Sequence, residues 1–240
     1  MTSFHEGRET MREAPEILSN SPLFKGLPQI QLQDLTRIAA DKHFAKGQTV
    51  FSEGDEGNGF YVVVDGLVKI FKLSIDGKEQ ILHIFGPGEP FGEVPVFAGQ
   101  DFPAHAEAIA ESRLLFFPRE AFTALISENP SLALNMLALL SMRLRHFTVQ
   151  VEQLSLKEVP GRLAAYLLYL SDKKGGKASV DLNISKGQLA SLLGTIPETL
   201  SRIFARMIQQ GLIHVDGRRI NMTNRSGLEE LAMGEKTLGV

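Results

Sequence analysis

The chain has 240 residues, enough for about two domains at about 150 residues each, and its 43% hydrophobic and 22% charged residues exclude disordered and collagen-like chains. With no cysteine, it has no disulfide, thiolate-held zinc, cysteine nucleophile or cysteine-ligated iron–sulfur cluster. The net charge of -3 is uneven: Leu156 to Val240 holds 12 Lys and Arg against 8 Asp and Glu (+4), and the remainder holds 13 against 20 (-7), which suits a polyanion-binding module behind an acidic body, although a solvated basic face gives the same count.

Met1 to Arg12 shows no apolar core behind a basic start, and no stretch approaches the ~20 apolar residues of a membrane helix, so the expected location is the cytoplasm, off any membrane. A short helix is predicted after Pro28, with Ile30, Leu32, Leu35 and Ile38 in helical spacing, ending near Asp41. The period then changes. Between Phe44 and Phe117, β-branched and aromatic runs (Phe60 to Val64, Leu67 to Leu73, Gln80 to Phe85) are separated by Asp65-Gly66 and Asp76-Gly77, pairs suited to tight hairpins. An antiparallel sandwich or roll is expected.

A long helical pattern follows, with Asn129 as N-cap, Pro130 in the first turn, and no Pro or Gly until Pro160. Leu137, Leu140, Leu144, Phe147, Val151 and Leu154 recur at spacings of 3, 4, 3, 4 and 3. These are successive a and d positions of a heptad, read as a parallel dimer seam, with packing of a single helix on its own domain as the alternative. After Pro160 come an apolar helix from Arg162 to Leu170 and a polar loop from Lys173 to Lys177.

The most informative pattern lies beyond. Ser185 and Gln188 make a capping box opening a helix at Lys186; Gly194 ends it, and Pro197 and Glu198 start a second helix that runs to about Gln210. This is a helix-turn-helix. Leu200, Ile203, Phe204 and Met207 form the core stripe of the second helix, while Glu198, Ser201 and Arg202 share another face near its N-terminal end, the end that enters a major groove. Arg202 suits guanine O6/N7, Glu198 suits cytosine N4, and Ser201 suits an adjacent base. Thr195, Thr199, Lys186 and Arg206 are placed to hold phosphates. A hairpin around Asp216-Gly217, with Arg218 and Arg219 beside the turn, adds a wing, and Arg218 joins the DNA-binding candidates. The competing reading makes Glu198 and Arg202 an ordinary i, i+4 surface pair.

Pro197-Glu198-Thr199-Leu200-Ser201-Arg202 resembles the recognition helix of the CRP/FNR family of bacterial transcription regulators. Gly47 to Phe51, Gly54-Asp55, Phe60 to Gly66 and Phe91-Gly92-Glu93 resemble its cyclic-nucleotide-binding roll, so the resemblance spans Leu23 to Leu231. It implies an α+β fold with an N-terminal antiparallel, jelly-roll-like β-roll that senses an effector (1-128, with the N-terminal helix), a long dimerisation helix (129-156), and a C-terminal winged helix-turn-helix domain (157-240). It further implies a homodimer acting with RNA polymerase on a two-fold symmetric double-stranded DNA site. The Glu, Ser, Arg triplet resembles the FNR-like branch, which implies half-sites with a TTGA-type core.

The resemblance places an effector pocket at Phe91, Gly92, Glu93, Phe102, Pro103 and His105. Cyclic-AMP-binding members carry an Arg-Ser pair where this chain reads Asp101-Phe102-Pro103-Ala104-His105, and no Arg stands nearer in sequence than Arg113. A phosphodiester needs a buried cation, so cyclic AMP is disfavoured. Phe102 and Pro103 instead make an apolar wall suited to an aromatic, lipid-like or haem ligand, and some relatives are haem-based nitric oxide sensors. None of the six histidines pairs at i, i+3 or i, i+4, so no metal site is proposed, and His83 and His105 are the candidate haem ligands, each also readable as an ordinary structural histidine. No catalytic role is expected: Gly86-Pro87-Gly88 and Gly175-Gly176-Lys177-Ala178 do not make phosphate cradles, and no hydrolase, zinc-protease or kinase signature occurs. A roll that controls a protein partner is the remaining alternative.

Overall fold

The glycine-punctuated segment forms eight strands: β1 (Ala40–Phe44), β2 (Thr49–Phe51), β3 (Gly59–Asp65), β4 (Val68–Leu73), β5 (Glu79–Phe85), β6 (Pro90–Phe91), β7 (His105–Ala108) and β8 (Ser112–Pro118). The computed structural model describes residues 16–19 and 21–238; in the long helix, the side chains of 146, 150 and 153–156 lie outside that description. The strands make two four-stranded sheets, ordered β1-β8-β3-β6 and β2-β7-β4-β5, with antiparallel pairing in both.

Of the two expected hairpins, only the one at Asp76-Gly77 forms: β4 and β5 are neighbours, and Ser74 N–H donates to Lys78 O at 2.9 Å. Asp65-Gly66 instead carries the chain from β3 in one sheet to β4 in the other. Gly66 has φ 91°, and a Cβ there would lie 2.3 Å from Ser112 Oγ and 2.4 Å from Glu111 O. The same dipeptide serves a tight turn or a close crossing between sheets, and sequence spacing does not separate the two.

Strand β3 is buried on both faces. Phe60 and Val62 face a cluster with Leu32 and Leu35 of α1 (Gln29–Ile38), Phe122 and Leu125 of α3 (Arg119–Glu128), and Leu132, Met136 and Leu139 of α4 (Pro130–Leu156), while Val63 faces the roll interior. Burial of each such side chain stabilises the fold by about 1.5–3 kcal/mol. A five-residue helix, α2 (Val94–Ala98), follows β6. Asn129 stands just before α4 as expected, but its side chain is engaged elsewhere: Oδ1 accepts from Gln31 Nε2 at 2.7 Å and Nδ2 donates to Leu125 O at 3.2 Å.

The chain divides into two compact units, one comprising the described residues to Lys78 with Leu82–Leu144, the other Glu79–Ile81 with the residues from Arg145 onward. The second unit packs α5 (Val159–Lys173), α6 (Lys186–Leu192), α7 (Pro197–Gln209) and α8 (Arg225–Met233) around a three-stranded sheet ordered β10-β11-β9, from β9 (Ser179–Asp181), β10 (Ile213–Asp216) and β11 (Arg219–Met222). Leu163, Leu167, Leu189, Leu200, Phe204, Met207, Ile220 and Leu228 share its core. The fold is thus α+β: antiparallel sheets, a long helix and a C-terminal helix-turn-helix. Among the described residues no helix is long and apolar enough to cross a membrane.

Candidate nucleic-acid interface and sensor interior

The helix-turn-helix is built from its caps. Ser185 Oγ accepts from Gln188 N–H at 3.1 Å while Gln188 Oε1 accepts from Ser185 N–H at 2.8 Å, the reciprocal capping box that starts α6. Gly194 at φ 65° turns the chain, a left-handed conformation that glycine adopts without a Cβ clash. Pro197 then starts α7 from an extended Ile196. Leu200, Ile203, Phe204 and Met207 are buried, which turns Glu198, Ser201 and Arg202 to solvent together.

Among the described residues no Glu198–Arg202 ion pair forms. Arg202 Nη2 instead donates to Thr199 Oγ1 at 3.2 Å, and the Glu198 carboxylate carries no side-chain partner. An exposed carboxylate at the positive end of a helix and a guanidinium one turn on can each offer their hydrogen-bonding groups outward. Of the residues expected to hold phosphate, Lys186 and Arg206 are exposed, Thr195 and Thr199 half-buried, and Lys186 Nζ stands 5.9 Å from the Phe204 ring centre. The wing forms as expected: β10 and β11 pair from Ile213↔Met222 to Asp216↔Arg219 around Gly217-Arg218. Arg219 is drawn back to Asp181, its Nε 3.1 Å from Oδ1, and Arg218 is left exposed at the tip.

Helix α4 carries two separate stripes. Leu132, Met136 and Leu139 bury against their own roll. Leu137, Leu144, Phe147 and Val151 are 60, 69, 45 and 63% exposed, Leu140 is half-buried, and the side chain of Leu154 lies outside the described residues. Leu134, Met142 and Val149 are also exposed, off the heptad stripe.

Of the expected effector residues, Phe91, Gly92 and Phe102 gather inside the roll in a packed aromatic cluster with Phe51 and Tyr61. Phe102 stacks on Phe51 with ring centres 3.7 Å apart, Phe51 lies 6.1 Å from Phe91, and Tyr61 stacks on Phe91 at 5.4 Å. Burial raises the Tyr61 hydroxyl above its ordinary pKa. Gly92 lies against the same rings, a Cβ there standing 3.2 Å from both Phe102 and Phe51. Pro103 differs from expectation: it is exposed, not part of the apolar wall, and its carbonyl accepts from Lys72 Nζ at 2.9 Å. His105 lies at the rim, its Nδ1 accepting from Glu53 N–H at 3.2 Å and its Nε2 3.8 Å from Glu53 Oε2.

No arginine stands nearer this stretch in sequence than Arg113, but the fold brings one in from the long helix. Arg143, one turn beyond the buried stripe of α4, donates to the Glu93 carboxylate and to Pro90 O, with its guanidinium 5.0 Å from the Phe85 ring centre. Burial pulls the Arg143 pKa down to about 10, opposed by the nearby charge of Glu89, so the group stays a cation at neutral pH. Sequence distance hid it, yet Leu132, Met136, Leu139 and Arg143 lie at i, i+4, i+7 and i+11 on one helix face, a signal that was present. Glu93, its side chain 7% exposed, is accordingly an ion-pair partner, and no side-chain cap bond joins it to the helix it precedes.

These residues do not fit a haem as they stand. The Phe51–Phe102 stack leaves no gap for a macrocycle, both ring nitrogens of His105 face Glu53, and His83 lies edge-on to Phe85 at 4.5 Å. Among the described residues no three His, Cys, Asp or Glu stand together as a metal site.

A double-sheeted roll and a winged helix-turn-helix together define a DNA-binding regulator with a cyclic-nucleotide-type sensor domain. The cyclic nucleotide-binding domain family matches residues 41–129, and the Crp-like helix-turn-helix domain family matches residues 161–231. The chain is 30% identical over 221 residues to a CRP-like cAMP-activated global transcriptional regulator of Mycobacterium tuberculosis, covering 90% of this chain and 99% of that protein. It is 32% identical over 217 residues to the cyclic AMP receptor protein of Thermus thermophilus, again covering 90% and 99%. FixK2 from Bradyrhizobium japonicum superposes with a TM-score of 0.73 at 27% identity, over 81% of this chain and 97% of that one. The chain therefore belongs to the CRP/FNR family; it is a transcription regulator, not an enzyme.

Proposed function

We propose that the chain acts in the cytoplasm as a homodimer, joined along the exposed stripe of α4, that reads a two-fold symmetric DNA site and works with RNA polymerase. The carrying observation is the outward polar face of α7, where Glu198, Ser201 and Arg202 stand exposed over a buried stripe without pairing with one another. In this reading Arg202 contacts guanine, Glu198 cytosine and Ser201 a neighbouring base, while Lys186, Thr195, Thr199, Arg206 and Arg218 fix register on phosphates. Half-sites would be centred about 34–36 Å apart. The test is a gel-shift series on duplexes with two inverted TTGA half-sites against a scrambled duplex. A preference for the symmetric duplex supports the reading, and equal affinities oppose it.

The dimer has its own test. Leu144→Glu places a carboxylate on both sides of the proposed seam and removes apolar burial of about 1.5 kcal/mol or more per copy, so the dimer Kd is expected to rise at least a hundredfold. Sedimentation should show the variant at one chain mass where the parent runs at two. An unchanged dimer would assign the seam elsewhere.

In the roll, we infer an effector other than cyclic AMP, bound where it changes how the two long helices pack. Two relatives are named for cyclic AMP. In this chain, however, the stretch Asp101 to His105, which the family resemblance matches to the Arg-Ser pair of cyclic-AMP-binding members, holds no arginine, and Arg143, the largely buried cation nearby, is already paired with Glu93. Isothermal titration with cyclic AMP is expected to give no saturable heat at millimolar ligand; micromolar saturation would overturn this assignment.

A further inference from the structure

Thr199 stands third in α7, one turn before Arg202, and its Oγ1 accepts from Arg202 Nη2 at 3.2 Å. Two other helical threonines behave differently: Thr36 donates back to Leu32 O at 2.8 Å, and Thr123 to Arg119 O at 2.9 Å and Glu120 O at 3.0 Å. Thr199 has no such helical carbonyl, because α7 begins at Pro197 and Thr195 lies in the turn before it. A hydroxyl has one proton and two lone pairs. With a lone pair given to the guanidinium, the proton of Thr199 is free for an oxygen outside the helix.

We propose that Thr199 is a positioning residue for base reading: it holds the Arg202 guanidinium in place before DNA arrives and donates its own proton to a backbone phosphate, coupling arginine orientation to seating on the duplex. The β-branched side chain of threonine is stiff at its first torsion, so its oxygen is a fixed acceptor, whereas a free arginine must be ordered from many rotamers on binding. Ordering one such side chain in advance is worth about three- to tenfold in affinity per half-site. The gain goes to the duplex on which the ordered guanidinium finds a guanine. The proposal rests on the reading of Arg202 as a base contact.

The test uses the full chain and duplexes with two inverted TTGA half-sites whose guanines are either natural or 7-deazaguanine, which lacks the N7 acceptor, beside a scrambled duplex at the same salt. For Thr199→Val the preference for guanine over 7-deazaguanine is expected to shrink about three- to tenfold per half-site, with a smaller loss on scrambled DNA. Thr199→Ser, which keeps the hydroxyl without the stiffening β-branch, should restore part of it, and Thr199→Ala, run alongside, should match the valine variant and so separate hydroxyl loss from any packing effect of valine. Equal weakening on all three duplexes would overturn the proposal and leave a phosphate contact alone, as would failure of serine to restore any of the preference. Arg202→Ala separates the two levels: if it leaves the guanine preference intact, base reading by Arg202 fails and the proposal with it, whereas loss in Arg202→Ala with full retention in Thr199→Val overturns only the role of Thr199.

Discussion

Arg202→Ala is expected to abolish the preference for the symmetric site while leaving binding that weakens steeply with salt. A bidentate arginine–guanine contact discriminates by about 1–3 kcal/mol, and a dimer makes two, so specific affinity should fall by about 30-fold to 20,000-fold against little change on scrambled DNA. Because Arg202 forms no ion pair with Glu198, its removal unsatisfies nothing buried, and folding should be untouched. Lys186→Ala should do the opposite, weakening all duplexes alike and reducing the salt slope by about one for each phosphate no longer neutralised. Fluorescence anisotropy over a salt series reads both effects; an Arg202→Ala protein that still prefers the symmetric site would refute the assignment.

The second large effect concerns the roll. Glu93→Ala takes from the Arg143 cation the carboxylate it donates to in a largely buried setting, leaving only the nearby charge of Glu89. Loss of one partner of such a pair costs about 3–5 kcal/mol when fully buried. Arg143 keeps 21% of its side chain wet, so the lower end, about 3 kcal/mol, is expected, a fall in Tm of about 6–12 °C. The double variant Glu93→Gln with Arg143→Met should recover most of the loss, since the uncompensated charge is gone. The sign of the pH dependence follows from the lowered arginine pKa. Burial disfavours the charged form, so that cost is present in full below pH about 10 and is relieved only as pH rises beyond it toward the higher value of the unfolded chain. A Glu93→Ala melting curve within about 1 °C of the parent would remove the pair from the account.

The helix-turn-helix was legible in the sequence because its signals are local. The Ser185–Gln188 capping box, Gly194, Pro197 and the spacing of Leu200, Ile203, Phe204 and Met207 each constrain their own turn or helix and agree with one another. The roll was legible as a class but not in its connections: Asp65-Gly66 and Asp76-Gly77 read alike, and only tertiary packing against Ser112 made the first a crossing between sheets. Arg143 lies 50 residues from Glu93 in the chain, so its approach is not legible from sequence distance. A helix of 27 residues carries its C-terminal half far from its start, and the stripe of Leu132, Met136 and Leu139 is what aims the arginine at Glu93. The exposed Met142 and Val149 are apolar residues off the heptad stripe that the seam does not explain.

Base reading by the polar face of α7 is open to a direct test. Selection of bound duplexes from a random-sequence pool tests it without presuming a target. An enriched, two-fold symmetric sequence with a guanine in each half and half-sites about 34–36 Å apart is expected, with loss of that guanine from the selected set when Arg202→Ala protein is used. Recovery of unenriched sequence with both proteins, or of the same motif with both, would contradict it.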